Sequence, residues 1–228
     1  MASPMILVTE ALLNDADLSH LRKLFDEVDD GEGAQTAVGD LQSVKHNRQL
    51  HLGVRSTEVR DRVRGALNRH PFLSYALIPK AISPPLLSVY KPGMYYGDHT
   101  DGHLGQLPDR AMRLDISATI FLDPPETYDG GELVIRSSDG DRTYKLPAGA
   151  AVFYPTYFVH RVNEVTRGER RACVMWFESF VKDTDKRRML FELQQVRSWI
   201  EENQPVTSKP RQTMVNLCEN LHRLWIDT

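Results

Sequence analysis

Cysteine and long apolar runs are both scarce in this chain. It has 228 residues and two cysteines, Cys173 and Cys218, which excludes a disulfide scaffold and a zinc site built on paired CxxC motifs. No stretch approaches the roughly 20 consecutive apolar residues of a membrane-spanning helix. The N-terminal segment lacks a basic region ahead of its short apolar run, so it does not resemble a signal peptide. These absences predict a cytoplasmic protein with no membrane partner.

Charge of one sign is not concentrated anywhere in the sequence. The chain carries 28 lysines and arginines against 31 aspartates and glutamates, a formal net charge of −3. A nucleic-acid-binding surface is normally visible as a basic patch or stripe. The short run DKRR at 185–188 is better explained as the solvated face of a helix. We therefore expect no nucleic-acid partner.

The middle of the chain consists of short apolar segments separated by turn residues. From about residue 73 to residue 180, segments such as LLSVY, DISATIFL, ELVI and AAVFY alternate with proline, glycine and aspartate. Several short strands at close spacing are typical of a sandwich or barrel and not of βαβ units. An eight-stranded jelly roll fits this length. The predicted fold class is mainly β with flanking helices around a jelly-roll core.

Helical periodicity appears before and after this region. Apolar residues at three- and four-residue spacing predict helices over 14–28 and 57–68. Asn14 and Thr57 are their predicted N-caps.

After Val181 the pattern again predicts a helix, capped by Asp183 or Thr184 and reaching about Asn203, and then a last helix. The first of these two helices is expected to carry its apolar residues on one face: Met189, Leu193, Val196 and Ile200. The predicted division is a domain over 1–182 and a C-terminal helical extension over 183–228.

The segment YGDHTDGH at 96–103 holds two histidines and two aspartates. In an extended strand His99 and Asp101 point the same way. His103 has the same parity, but Gly102 is expected to bend the chain before it. The best third partner is His160 in YPTYFVHRV. Two histidines and one carboxylate form the ligand set of non-haem Fe(II) oxygenases, which leaves metal positions open for co-substrate and O2.

An arginine follows the second histidine at short range. TRGE at 166–169 predicts a tight turn between antiparallel strands, which would bring Arg170 or Arg171 close to His160. A guanidinium can grip a dicarboxylate through a bidentate fork. The alternation of side chains does not choose between the two arginines.

Taken together, the motifs resemble one family. The bacterial PKHD-type hydroxylases, Fe(II)- and 2-oxoglutarate-dependent dioxygenases related to the prolyl 4-hydroxylases, are similar in an ordered set of segments: VKHNRQL (44–50), HTD (99–101), DISATIFL (115–122), YDGGELVI (128–135), LPAGAAVFYP (146–155) and HRVNEVTRGERRA (160–172). The resemblance implies a double-stranded β-helix core. It also implies Fe(II) bound by His99, Asp101 and His160, and the distal carboxylate of 2-oxoglutarate bound by Arg170.

The reaction that the resemblance implies is hydroxylation of a C–H bond with release of succinate and CO2. O2 is consumed, and ascorbate often supports such enzymes by keeping iron reduced. The substrate is left open between a peptidyl group and a small molecule. A non-catalytic jelly-roll module that binds a metal or a small ligand is the competing hypothesis.

Further residues follow more weakly from the sequence. The resemblance makes Tyr90 a candidate for hydrogen bonding to 2-oxoglutarate. Ser117 or Thr119 could bond the co-substrate from one strand face, and Trp176, on the same face as Arg170, could form a wall of the iron pocket.

Two predictions concern partners. The basic segment KHNR at 45–48 is expected at the substrate entrance, where Arg48 would favour an acidic or carboxylate-bearing substrate. The last two helices offer apolar residues that either a homodimer or the barrel of the same chain could cover, among them Trp199, Leu217, Leu221 and Trp225.

Overall fold

The computed structural model describes residues 6–37 and 39–227. Residues 1–5 and Thr228, which belong to the predicted ranges 1–182 and 183–228, lie outside the described residues, as does Val38. The strands are β1 (Leu7–Thr9), β2 (Asp30–Glu32), β3 (Lys45–His46), β4 (Arg48–Leu50), β5 (Pro79–Ile82), β6 (Leu86–Tyr90), β7 (Tyr95–His99), β8 (Leu104–Gln106), β9 (Ala111–Arg113), β10 (Ile116–Phe121), β11 (Asp129–Gly130), β12 (Leu133–Ser137), β13 (Gly140–Tyr144), β14 (Ala151–Pro155), β15 (Val159–Val162), β16 (Val165–Arg167) and β17 (Arg170–Ser179). The helices are α1 (Asp15–Glu27), α2 (Arg55–Asn68), α3 (Pro71–Leu77), α4 (Thr184–Asn203) and α5 (Lys209–Trp225), with short 3-10 turns at Gly33–Thr36, Gly39–Val44 and Pro125–Thr127.

Two antiparallel sheets form the core. The large sheet has the strand order β1-β14-β10-β17-β6-β4-β2, with β5 beside β17, and the five-stranded sheet has the order β13-β12-β15-β7-β3. Apolar residues from both sheets meet in one buried cluster, in which Phe121 and Val152 of the large sheet pack with Leu133 and Ile135 of the small one. The predicted jelly roll with flanking helices is confirmed.

Strand alternation decides which side chains enter the space between the sheets. On β10, Ile116, Ala118 and Ile120 belong to the core that the large sheet shares with α1, α2 and α3. On β17, Cys173 and Met175 belong to the same core. Because side chains alternate along a strand, the even-numbered residues of β17 face the small sheet.

Near the N-terminus the structure partly follows the predicted helices. Asn14 caps α1 and forms a reciprocal capping box with Asp17, as predicted. The predicted cap Thr57 is wrong, because α2 begins at Arg55. Helix α3 was not predicted: the sequence HP ends α2, but Pro71 then starts a new helix, at a position where its missing N–H costs nothing.

Asp183 caps α4 as expected, but the apolar face of the helix is not its buried face. Met189 and Val196 are 46% and 47% exposed, whereas Arg187 is 1% exposed. The Arg187 guanidinium donates to the carbonyl oxygens of Val181 at 2.6 Å and Lys182 at 2.8 Å. The rotation of α4 about its axis is therefore fixed by a buried arginine that binds the carbonyl groups just after β17, and not by the apolar face. The residues on the buried face are Arg187, Leu190, Phe191 and Gln194.

Helix α4 packs against α3. Phe191 of α4 packs edge-on against Phe72 of α3, with ring centroids 4.7 Å apart. The division of the chain after residue 182 remains a prediction. Among residues 6–37 and 39–227, no helix is long and apolar enough to cross a membrane.

Candidate functional site

A cavity of about 510 Å³ opens between the two sheets. This size is within the roughly 300–1,000 Å³ usual for small-molecule sites. The predicted residues His99, Asp101, His160 and Arg170 all line it. Tyr90, Thr119 and Trp176 of the predicted set line it too.

Three side chains converge at one end of the cavity. His99 and His160 are direct cross-strand neighbours on β7 and β15. Their Nε2 atoms lie 3.9 Å and 3.7 Å from the two carboxylate oxygens of Asp101. One ligand atom from each residue can be chosen so that all three lie within 4.8 Å of one another. Two imidazoles and one carboxylate at this spacing can hold a divalent metal on one face.

Both imidazoles are oriented by the same kind of backbone contact. Nδ1–H of His99 donates to the carbonyl oxygen of Gly97 at 2.8 Å, and Nδ1–H of His160 donates to that of Phe158 at 3.0 Å. Because a carbonyl can only accept, Nε2 of each ring keeps its lone pair for the cluster. Burial, and the neighbouring His160, lower the pKa of His99 to about 4. His99 is therefore neutral at neutral pH, as a metal ligand must be.

Two donors hold the carboxylate of Asp101 in place. Ser117 Oγ and Trp176 Nε1 both donate to Oδ2, at 2.6 Å and 2.9 Å. The predicted contact of Ser117 with the co-substrate is therefore corrected, because its hydroxyl is used by Asp101. Thr119, two residues along the same strand face, lines the cavity instead.

Arg170 lines the same cavity from the start of β17, six residues before Trp176. Its side chain is 1% exposed. Its guanidinium is flanked by two rings, with Cζ 5.2 Å from the centroid of Tyr90 and 5.5 Å from that of Phe121. Nε and Nη2 are buried and have no hydrogen-bond partner among the described residues. Since buried donors are almost always paired, an anion that fills this end of the cavity would satisfy them.

The surroundings of Arg170 are shaped to leave this room. Gly131 has φ +68°, and a Cβ at that position would lie 2.9 Å from Cδ of Arg170, so glycine is needed for the arginine to adopt its position. Burial raises the pKa of Tyr90 to about 12, and Arg170 acts in the opposite direction. Tyr90 therefore keeps its hydroxyl proton at neutral pH and can donate a hydrogen bond.

The structure distinguishes the two candidate arginines. It also shows that the strand pairing expected to bring them near His160 does not form. Arg171 faces away from the cavity and pairs with Asp123 at 2.6 Å. The predicted antiparallel pairing across 166–169 is wrong: β15 pairs with β7 and β12, whereas β17 pairs with β10, β6 and β5. His160 and Arg170 thus line one cavity from opposite sheets.

The other polar residues of the opening motif lie elsewhere. His103 is exposed and is not part of the three-residue cluster. Asp98 pairs with Arg136 at 3.0 Å on the exposed side. The expectation that Gly102 separates His103 from the other two residues agrees with this placement.

The segment KHNR is divided between two environments. Arg48 pairs with Asp30 and does not line the cavity, so its predicted place at the substrate entrance is wrong. Lys45 does line the cavity and is 6% exposed. Burial lowers the pKa of Lys45 to about 8, although Asp101 acts against this, and its amine remains mostly charged at neutral pH.

Tyr96 is a site residue that the sequence does not reveal. Its ring stacks on His99, with centroids 3.5 Å apart and planes 14° apart, and the Lys45 amine lies 5.1 Å from its centroid. A tyrosine that begins a turn-rich motif gives no signal for this role. The register of β3 with β7 places Lys45 opposite Tyr96 and so brings the amine to the ring. The pairing of β7 with β15 is irregular between Tyr96 and His99, two residues of the same strand whose rings stack.

Known proteins are similar to this chain in sequence and in fold. Residues 85–178 match the model of the 2OG-Fe(II) oxygenase superfamily. The chain is 43% identical over 194 residues to a PKHD-type hydroxylase of a Synechococcus sp., covering 85% of this chain and 87% of that one. It is 37% identical over 228 residues to a PKHD-type hydroxylase of Paraburkholderia phymatum, covering 98% and 100%. A crystal structure of a Pseudomonas putida prolyl-4-hydroxylase superposes with a TM-score of 0.51 at 22% identity, over 77% of this chain and 93% of that one.

The jelly roll and its His-Asp-His cluster define a protein of the class of 2-oxoglutarate- and Fe(II)-dependent oxygenases. Within that class, the chain belongs to the PKHD-type hydroxylase family.

Proposed function

We propose that this protein hydroxylates a C–H bond of a small-molecule or peptidyl substrate, using Fe(II), 2-oxoglutarate and O2. The observation that carries the proposal is a single cavity that joins the His-Asp-His cluster to a buried arginine with unpaired donors. The family adds the hydroxylase activity by which its members are named.

Each end of the cavity has its own task in this proposal. His99, Asp101 and His160 would hold Fe(II) through two Nε2 atoms and a carboxylate. Arg170 would hold the distal carboxylate of 2-oxoglutarate through its free donors. Tyr90 would donate a hydrogen bond to the same co-substrate.

When bound, iron and the 2-oxo acid supply the oxidation, which releases succinate and CO2. The chain contributes orientation and a shielded pocket. Ser117 and Trp176 fix the direction of the Asp101 carboxylate. The rings of Tyr90 and Phe121 shield the Arg170 guanidinium, so that its pairing with an anion is stronger than in water.

The decisive experiment is anaerobic. Fe(II) and 2-oxoglutarate are added to the purified protein without O2, and the visible charge-transfer band of the chelate is recorded. Air is then admitted, and succinate is measured with a metabolite extract present, in which one component should gain the mass of one oxygen atom. A folded, iron-loaded protein with no band would refute the function and favour a non-catalytic jelly-roll module.

Trp176 provides a test of how Asp101 is held. Trp176→Phe keeps an aromatic ring but removes the indole donor, leaving Ser117 as the remaining donor to Oδ2. Loss of such an outer contact typically weakens metal binding by roughly 10- to 100-fold. We expect Fe(II) affinity, measured by competition with a chelator, to fall within that range while the secondary structure is unchanged. Wild-type iron affinity would show that the indole only packs.

Three further proposals concern the setting of the enzyme. Ascorbate would support turnover by keeping the iron reduced. A cytoplasmic location fits the free thiols of Cys173 and Cys218, both buried. A homodimer could cover the apolar surface of the last two helices, where Trp199 is 61% and Leu224 is 74% exposed. Light scattering at high protein concentration would measure its mass, and a monomer would exclude the dimer.

A further inference from the structure

Lys45 is a buried cation that has no task in the proposed chemistry. It lines the same cavity as the His-Asp-His cluster and Arg170. An ammonium has three donors, and the hydrogen bond recorded for this one among the described residues goes to Oγ1 of Thr36, at 2.6 Å. Among those residues the ammonium forms no ion pair at contact distance, although the negative charge of Asp101 acts on it through space.

Polar contacts hold this amine at one wall. Oγ1 of Thr36 donates to Oε1 of Gln49 at 2.8 Å, and Nε2 of Gln49 donates to Oγ of Ser88 at 3.2 Å. All four residues line the cavity. Thr36 is itself exposed, whereas the amine also lies over the ring of Tyr96, at 5.1 Å from its centroid. The chain from Lys45 to Ser88 therefore fixes a positive charge on the wall without neutralising it.

In the cavity loaded with Fe(II) and 2-oxoglutarate, positive charges outnumber negative charges by one. The charged side chains among its lining residues, the histidines aside, are Lys45, Asp101 and Arg170. The double positive charge of Fe(II) equals the double negative charge of 2-oxoglutarate, and Asp101 supplies one negative charge against the two positive charges of Lys45 and Arg170. The loaded cavity therefore keeps one positive charge without a counter-charge, and a buried uncompensated charge is unfavourable.

We propose that Lys45 anchors a carboxylate of the primary substrate, an inference that rests on the proposed function. The lining of the same cavity also includes the apolar residues Leu41, Leu86, Leu104 and Leu114. A small organic acid with an apolar body matches both parts of the lining: its carboxylate meets the amine, and its body covers the leucines. Lys45 is thus a specificity-determining residue, separate from the arginine that binds 2-oxoglutarate.

Matched pairs of acids and amides test this anchor. The enzyme is loaded with Fe(II) and 2-oxoglutarate without O2, so that the Arg170 end is filled. Butanoate, hexanoate and octanoate are then titrated by calorimetry, each against its primary amide. A charge-assisted hydrogen bond predicts that at least one acid binds roughly 10- to 100-fold more tightly than its amide. Lys45→Met should abolish that preference while 2-oxoglutarate affinity stays unchanged.

The control removes a charge from the same segment but outside the cavity. Arg48→Met takes away a cation that pairs with Asp30, and the preference for the acid should persist. If Lys45→Met does not fold, Lys45→Gln keeps a polar head toward Thr36 and carries the same test.

The outcomes separate the anchor from the function it rests on. A wild-type protein without the visible band refutes both. A wild-type protein that shows the band but binds no acid more tightly than its amide refutes only the anchor. The anchor is also refuted if Lys45→Met keeps the preference, or if it weakens 2-oxoglutarate binding instead.

Discussion

His99→Ala should abolish iron binding and with it all 2-oxoglutarate turnover. His99 and His160 are cross-strand neighbours with ring centroids 4.1 Å apart, and Asp101 completes the cluster. Removing the His99 imidazole leaves one imidazole and one carboxylate, whereas three ligands are needed to cover one face of the metal. Changes to outer contacts alone cost roughly 10- to 100-fold in affinity, so the loss of a ligand should exceed this range. Iron retained after desalting, the visible band and succinate formation should all fall to background.

His103→Ala is the matched control for this variant. It removes a histidine from the same motif, four residues further on, that is exposed and lies outside the cluster. Iron content and turnover should match those of the wild type. Circular dichroism would show whether His99→Ala keeps the fold. Normal iron content in a folded His99→Ala protein would mean that the cluster does not hold the metal.

The order of strands was readable from the sequence, but the pairing of strands was not. Turn residues between short apolar segments marked the strands, and each strand's alternation placed Ser117 and Thr119 on one face. The nearness of His160 to Arg170 was predicted for the wrong reason, because a tight turn at 166–169 suggests a hairpin. Only the closure of two sheets over each other puts them in one cavity, and that contact is long-range in sequence.

Polar residues inside the cavity were the hardest to predict. Lys45 and Gln49 lie in a segment that reads as a polar surface, yet both are buried. Hydropathy assigns such residues to solvent, and nothing local shows that a neighbouring strand covers them. Arg187 misled in the same way, since a buried guanidinium that caps backbone carbonyls looks like a helix-surface charge. The site residues that were readable belonged to a ligand set with a recognisable chemistry.

Arg170→Leu should raise the 2-oxoglutarate concentration needed for half-saturation by roughly 30-fold or more. The estimate rests on the 2–5 kcal/mol that losing one partner of a buried, hydrogen-bonded charge pair costs, at about 1.4 kcal/mol for each tenfold change. Here the side chain is 1% exposed, and its free Nε and Nη2 lie between the rings of Tyr90 and Phe121. Iron binding should be preserved, because the guanidinium does not contact the cluster. Titration of the visible band against 2-oxoglutarate measures the shift directly.

Two companions make the result specific to the buried fork. Arg170→Lys keeps the charge but offers a point donor, so its affinity should fall between wild type and Arg170→Leu. Arg167→Leu removes an arginine of the same turn, 59% exposed and paired with Asp129, and should leave the titration unchanged. If Arg170→Leu bound 2-oxoglutarate as the wild type does, the co-substrate carboxylate would have to lie elsewhere, with Lys45 the other cation on the cavity wall. Measuring both Arg170→Leu and Lys45→Met therefore decides which cation binds the co-substrate and which is left for the substrate.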